Sequence, residues 1–278
     1  MEPAPAKAGD EYGFQPIVVF DGEGRIVTAI LRPGKRPTGK EIRAHLRRII
    51  GAIRANWPRV DILLRGDGHY ATPEVLSWCR GNGVDFIIGL PQTKTLRRHI
   101  EALEASTKAR TNRPDKVRRY KEFYDAAASW ARTERIIARV EAGPQGVDTR
   151  FIVTSLTGGP AKQLYERTYC RRGDAENHIK AWKAHLASDR TSCCRASANQ
   201  MRLFLHTAAY WLMWSLRSLM PKRSSWRVAQ FDTLRLRLLK IAARITELKT
   251  KIVVSLPTSC PVQAVLSMVL NRTTRLVT

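Results

Sequence analysis

The sequence predicts a mixed α/β fold, in which a sheet carries packed helices. Residues 14–20 and 25–31 are β-branched runs joined by the turn DGEG, which indicates a hairpin. Residues 39–57 repeat apolar side chains at a helical period. Residues 60–64 and 84–90 are continuous apolar runs, which are typical of buried strands. Between them we predict a short helix with Thr72 as N-cap and Pro73 at its first position. The resulting order is β-β-α-β-α-β.

The remaining chain divides into a β-rich part and a helical part. Residues 118–130, 135–141 and 149–155 alternate as antiparallel strands do, with a turn at residues 143–146. From residue 161 to about residue 251 the pattern is helical. The predicted organisation is a disordered leader (1–13), a first part of the main domain (14–90), a β-rich insertion (91–157), a helical second part (158–256) and a basic C-terminal tail with a short helix (257–278).

Charge indicates the class of partner. The 278 residues contain 48 Lys and Arg against 24 Asp and Glu, a formal net charge of +24 spread over the whole sequence. A folded domain this basic binds a polyanion in most cases, with nucleic acid first, although a highly charged protein without such a partner is the alternative. The cations do not gather on one amphipathic helix, and the apolar run at 203–219 is broken by His206 and Arg217, which argues against a membrane partner.

The cysteines favour neither a metal site nor disulfides. The five cysteines include no Cys-x2-Cys pair, and their number is odd. Reduced thiols and an N-terminus without an apolar signal region together predict a cytoplasmic protein.

Residues 169–183, YCRRGDAENHIKAWK, contain the first candidate site. At about 100° per residue, Tyr169, Arg172, Glu176 and Lys183 lie within roughly 60° of one another on a helix, at the margin of its apolar face. The Glu176 carboxylate, with two cations and a phenol beside it, can therefore take part in a site without being buried. The plain alternative is a solvated helical ion pair of Glu176, worth a few tenths of a kcal/mol.

Asp67 is the second candidate acid. It lies in Arg65-Gly66-Asp67-Gly68, directly after a predicted strand, at the sheet edge where α/β folds place their sites. The flanking glycines permit close approach of a metal or a phosphate to the backbone. The alternative is an ordinary Asp-Gly turn, which accounts for the same residues. Carboxylates that meet at a sheet edge suit Mg²⁺, and two such ions support phosphodiester displacement.

The spacing Tyr-x2-Arg-x3-Glu-x6-Lys resembles the signature of bacterial insertion-sequence transposases of the DDE type. The stretches EYGFQPIVVFDGEG, LLRGDGHY, GVDFIIGL, DRTSCCRASANQMRLFLH and LPTSCPVQ resemble one branch of them, the insertion-sequence thirteen-eighty family. The resemblance covers the chain from Glu11 onward. It implies an RNase H-like mixed sheet with flanking helices, a β-rich insertion and a helical C-terminal part.

The resemblance also implies a site and its partners. Asp67 and Glu176 would be catalytic and metal-binding, with Mg²⁺ or Mn²⁺ as cofactor and two ions in the intact site. The residues implied to contact DNA are Tyr169, Arg172, Lys183, Asn199 and Arg202. The partners would be double-stranded DNA, as transposon inverted-repeat ends and as target, and a homodimer on that DNA is compatible. No membrane and no small-molecule substrate is expected, and the location would be the bacterial cytoplasm, at the nucleoid.

One departure from the family pattern decides the activity that we expect. The first catalytic Asp belongs on a strand before the 14–20 hairpin, and no such strand is present in this sequence. We therefore expect an N-terminally truncated transposase whose DNA cleavage and strand transfer are impaired or absent. Two alternatives remain open: a non-catalytic DNA-binding remnant that inhibits a full-length transposase, and an RNase H-like metal-dependent nuclease.

Overall fold

The computed structural model describes residues 6–8, 11–110 and 116–274. The strands are β1 (Ala6–Ala8), β2 (Glu11–Gly13), β3 (Ile17–Phe20), β4 (Ile26–Ile30), β5 (Leu63–Gly66), β6 (Asp85–Leu90), β7 (Val117–Asp125), β8 (Glu134–Gly143), β9 (Gly146–Thr154), β10 (Arg244–Glu247) and β11 (Ile252–Ser255). The α-helices are α1 (Gly39–Asn56), α2 (Pro73–Gly81), α3 (Lys94–Arg98), α4 (Glu101–Ala109), α5 (Ala161–Gln163), α6 (Gly173–Lys180), α7 (Ala196–Ser218), α8 (Phe231–Leu234) and α9 (Gln263–Thr274).

The chain forms two compact units. One, called here the sheet unit, is Arg36–Asp174, and the other, the hairpin unit, comprises the described residues of Met1–Lys35 and Ala175–Thr278. In this division the β3–β4 hairpin belongs to the same unit as the C-terminal helices, and α1 and β5 belong to the sheet unit.

The sheet unit contains a five-stranded mixed sheet in the order β5-β6-β9-β8-β7. β5 and β6 are parallel, and every other neighbouring pair is antiparallel. The predicted alternation in 118–155 thus corresponds to β7, β8 and β9. These strands do not form a sheet of their own: β9 pairs with β6, so the region predicted as an insertion extends the sheet that carries Asp67.

Both faces of this sheet are covered by helices. Phe86, Ile88 and Val153 pack on one face against α1 and α2, while Ile87 and Ile152 on the other face contact Leu164 and Tyr165. Neighbouring residues of a strand thus point to opposite faces, as the twofold alternation of side chains requires. Continuous apolar runs such as residues 84–90 arise because neither face meets water.

In the hairpin unit, β3 and β4 pair antiparallel and pack on α7. The unpaired edge of β4 is met by side chains of α7. Gln200 accepts the Leu31 N–H (2.7 Å) and donates to the Ala29 carbonyl (3.0 Å), and the Trp211 Nε1–H donates to the Ile26 carbonyl (3.0 Å). These bonds replace the partners that a neighbouring strand would supply.

The hairpin turn is held by Asp21. Its Oδ1 accepts the N–H groups of Glu23 and Arg25, both at 2.9 Å, and its Oδ2 lies 2.5 Å from Arg25 Nε. Gly24 has φ +79°, and a β-carbon there would collide with the ring of His178. Asp21 is therefore a turn residue, as Asp-Gly indicates.

We expect Asp21 to make the hairpin unit acid-sensitive. Partial burial alone would raise the pKa of Asp21, but hydrogen bonds from Arg25 and Glu23 outweigh it and lower that pKa below 3.8. A lowered pKa in the folded state gives stability that is present above pH 3.8 and lost as the pH falls through the folded value. Urea unfolding at pH 6 and pH 3 should show a smaller loss of unfolding free energy in Asp21→Asn than in the wild type; equal losses would contradict it.

Two helical predictions need correction. The run from residue 161 to 185 is not one uniform α-helix: Leu164–Tyr169 and Ala181–His185 are π-helical, and Cys170–Arg172 is a 3-10 turn. Because these turns differ from 3.6 residues, the uniform 100° count does not apply throughout. After a further 3-10 turn (Ser225–Val228), α8 and a π turn (Arg235–Leu239) end at Lys240, whose backbone leaves the helical region.

The helical pattern predicted to continue to about residue 251 therefore stops early, at Lys240. β10 and β11 pair antiparallel, with Ile245 opposite Val254, because the β-branched run 252–254 favours a strand. The expected C-terminal tail contains α9. Within the expected disordered leader, β1 and β2 pair antiparallel, so backbone pairing orders part of it, and the rest of 1–13 lies outside the described residues.

Candidate functional site

Asp67 follows β5 at the carboxyl end of the strand, as predicted. Its Oδ1 accepts the His69 N–H at 2.9 Å, and the Tyr70 N–H donates to the Asp67 carbonyl at 3.1 Å. The turn interpretation is thus correct in geometry. The turn leaves the carboxylate accessible, because 42% of the Asp67 side-chain surface is exposed. The same residue holds a turn and presents an oxygen to solvent at the sheet edge.

Tyr169 lies beside Asp67, over Gly89 of the neighbouring strand β6. A β-carbon built on Gly89 would lie 2.7 Å from the Tyr169 hydroxyl and 3.1 Å from the Gly68 nitrogen. Burial raises the pKa of Tyr169, and the Asp67 carboxylate raises it further, while Arg172 opposes the change. Asp67 and Arg172 therefore both act electrostatically on the Tyr169 hydroxyl, which brings together three of the seven predicted site residues.

Further cations surround this group in the sheet unit. Burial lowers the pKa of Arg65, and so does the charge of Arg171, whereas Asp174 opposes both. Arg150 of β9 also acts on the Tyr169 hydroxyl. Arg171 is thus close enough to Arg65 to disfavour its charged form, and neighbouring cations of this kind favour an anion in the same region.

Sequence reasoning missed Gly89, Arg65 and Arg150 as members of this region. A signal existed for Gly89, since a glycine inside the apolar run 84–90 marks a place where another group approaches the backbone closely. No local signal marks Arg150, because its distance from Tyr169 depends on the pairing of β9 with β6.

The other predicted residues belong to the hairpin unit. Glu176 lies on α6 and Lys183 in the π turn that follows it, and both side chains are exposed. Asn199 is 1% exposed and is bonded inside its unit, where its amide accepts the Cys193 N–H (3.0 Å) and donates to the Cys193 carbonyl (2.8 Å). Arg202 donates to Ser192 Oγ at 2.9 Å. The geometry gives Asn199 the role of fixing the loop before α7 and leaves Arg202 nearer to solvent.

The donor atoms suit a hard cation only in part. Asp67 supplies a carboxylate oxygen with solvent access, the ligand type that Mg²⁺ takes. Across 6–8, 11–110 and 116–274, however, no group of three or more His, Cys, Asp and Glu side chains could hold a metal ion. The described residues therefore offer an incomplete ligand set for a metal ion.

The fold and this edge define an α/β domain with an anion-attracting site at the carboxyl end of a strand. The family model described as transposase DDE domain group 1 matches residues 7–278, and the chain belongs to this family. No curated protein matches the sequence.

Membership confirms the fold class and the broad function. The five-stranded mixed sheet, its flanking helices and the largely helical C-terminal part are those of an RNase H-like DDE transposase domain. The family implies DNA binding, and DDE transposases generally use divalent metal ions. Within the part of the chain that the structure describes, no helix is long and apolar enough to cross a membrane.

Proposed function

We propose that this chain binds transposon-end DNA and that its reaction site is built on Asp67 and Glu176, in the manner of the insertion-sequence thirteen-eighty transposases. The observation that carries the proposal is the grouping of Asp67 with Tyr169 and Arg172 at the sheet edge. A carboxylate alone would repel a phosphodiester. With a phenol and an arginine beside it, the same edge can accept a phosphate and place it next to an oxygen ligand.

The residues have distinct proposed roles. Tyr169 and Arg172 contact the phosphate next to the reacting bond, and Lys183 and Arg202 contact phosphates further along the transposon end. Asn199 acts indirectly, by holding the loop at Cys193. Asp67 and Glu176 would supply carboxylate oxygens to Mg²⁺ or Mn²⁺, and such ions, when bound, would supply the charge stabilisation that phosphodiester displacement needs.

Catalysis by this chain alone should be weak. A DDE site uses three acids, and only Asp67 and Glu176 are assigned among the described residues. A site with two carboxylates would hold the ion less tightly than a site with three, whereas the cations proposed to contact DNA do not depend on the ion. The chain would then bind transposon ends better than it cuts them, and it would compete with an intact transposase for the same DNA.

Binding and cleavage assays test this proposal. The purified chain, with Mg²⁺ or Mn²⁺, is mixed with duplexes that carry the inverted repeats flanking its coding sequence, and with unrelated duplexes of equal length. We expect preferential binding of the repeats, weak cleavage, and loss of that cleavage in Asp67→Ala and in Glu176→Ala. Asp61→Ala is the matched control, because Asp61 is exposed and precedes β5 instead of following it.

Each other outcome has a defined meaning. Preferential binding without any cleavage would favour the non-catalytic, competing protein. Equal cutting of unrelated duplexes would favour a nuclease. Cleavage that survives in both Asp67→Ala and Glu176→Ala would remove these residues from the reaction, and equal binding of all duplexes would overturn recognition of transposon ends.

A further inference from the structure

We propose that the outer face of α1 binds the phosphates of duplex DNA that flanks the reaction site. This inference rests on the proposed function and adds a second contact surface to it. Helix α1 carries five cations, at positions 40, 43, 47, 48 and 54, and one acid, Glu41. Of the cations, Arg54 is used within the sheet unit, where it donates to the carbonyls of Asn82 (2.7 Å) and Gly83 (2.9 Å).

The other four cations, Lys40, Arg43, Arg47 and Arg48, are exposed. Among the described residues, none of these four side chains has a hydrogen bond or an ion pair. Like charges three or four residues apart on a helix destabilise it by a few tenths of a kcal/mol per pair. Since none of these four side chains forms an ion pair with an acid of the described chain, the face is suited to an external polyanion.

The spacing of three of these cations suits a duplex. At about 100° per residue, Lys40, Arg43 and Arg47 lie within roughly 60° of one another and span about 10 Å of helix axis. B-DNA presents about six phosphates over such a length. The same outer face contains small residues, Gly51 and Ala55; a β-carbon on Gly51 would have no heavy atom within 4 Å. Because Gly51 and Ala55 do not project far from the helix, a duplex can approach the cations without a steric clash.

The start of α1 lies near Asp67. A β-carbon on Gly39, the first residue of α1, would collide with the side chains of Thr72 and Glu74. These residues directly follow the Asp67–Tyr70 turn, so the Lys40 end of the cation row is at the same end of the sheet as Asp67. A duplex whose reacting phosphate lies at Asp67 can therefore continue along α1, whose row leads away from the site.

The salt dependence of DNA binding tests this surface. The triple variant Lys40→Gln, Arg43→Gln, Arg47→Gln is compared with the wild type on a long duplex with flanking DNA and on a short duplex limited to the repeat. For the long duplex we expect at least tenfold weaker binding, and a plot of log affinity against log salt that is less steep by about 2.7 for three lost phosphate contacts. Binding of the short duplex should change by less than threefold.

A charge-matched control separates a defined surface from net charge. Lys222→Gln, Arg223→Gln, Lys240→Gln removes three exposed cations of the hairpin unit. A comparable loss on the long duplex in this control, or an equal loss on the short and long duplexes in the α1 variant, would overturn the proposal. So would an unchanged salt slope, or a binding defect seen only with single-stranded RNA or with anionic phosphatidylserine vesicles. Thermal unfolding verifies that both variants fold.

The outcome is independent of the reaction chemistry. If the α1 variant binds the long duplex more weakly while Asp67→Ala cuts as the wild type does, the proposed α1 surface is supported and the assignment of Asp67 to the reaction is wrong. If Asp67→Ala abolishes cleavage and the α1 variant binds both duplexes normally, the reverse holds.

Discussion

Gly89→Ala should disrupt the candidate site by adding one methyl group beside Tyr169 and Gly68. The new β-carbon would lie 2.7 Å from the Tyr169 hydroxyl and 3.1 Å from the Gly68 nitrogen. Real β-carbons are not found this close to other atoms, so the hydroxyl or the Asp67–Gly68 backbone must move. Overpacking of this kind costs about 1–3 kcal/mol. If the cost falls on the bound state, affinity for transposon-end DNA drops by roughly 5- to 150-fold.

A double-mutant cycle distinguishes this mechanism from general damage to β6. Tyr169→Phe removes the oxygen that the new methyl group would meet. Gly89→Ala should therefore weaken DNA binding less in the Tyr169→Phe background than in the wild type. Gly158→Ala is the control, because a β-carbon there has no heavy atom within 4 Å. Additive losses in the cycle would show that Tyr169 is not the group displaced.

Trp182→Ala should be the most destabilising core substitution in the hairpin unit. Trp182 is fully buried, in a cluster with Ile26, Leu203, Tyr210 and Phe231. Removing a buried tryptophan side chain costs about 3–5 kcal/mol. Lys183 follows Trp182 in the same π turn, so this loss should also disturb the cation proposed to contact DNA. Urea unfolding gives the free energy, and DNA binding gives the functional part.

Two control variants sharpen the Trp182 measurement. Among the described residues, the buried Trp182 Nε1 has no hydrogen-bond acceptor. Trp182→Phe removes this donor, whose burial costs about 1–3 kcal/mol, so it should lose much less stability than the alanine variant. Trp57 is 64% exposed, and Trp57→Ala should change the unfolding free energy by no more than about 0.5 kcal/mol. Equal losses at Trp57 and Trp182 would mean that burial does not set the cost.

Local patterns gave correct elements where a short stretch carries its own instructions. The turn at Asp21 pairs β3 with β4, and the period of residues 39–57 produces α1. Thr72 precedes α2 as N-cap, with Pro73 at the start, although the Thr72 hydroxyl caps no N–H group. The prediction of helix up to about residue 251 is wrong beyond Lys240. Helical periodicity is read from one stretch, whereas the pairing of β10 with β11 depends on residues on both sides of a turn.

The candidate site was only partly accessible to such reasoning. Asp67 could be found because a strand followed by Asp-Gly places an acid at a sheet edge. Asn199 was assigned to DNA, yet its amide is bonded at both ends to Cys193. Whether a polar side chain hydrogen-bonds within the protein depends on its neighbours in space, which the adjacent sequence does not specify.

The sequence by itself determined the hairpin, the helix that precedes Asp67, the buried strands and the surplus of cations, because turn chemistry, periodicity and charge are local or additive properties. Only the tertiary structure decided that β7, β8 and β9 continue the sheet of β5 and β6, and that Tyr169 lies over Gly89 beside Asp67. Strand pairing and close packing join residues far apart in the chain, and their free energy comes from contacts that no single stretch contains.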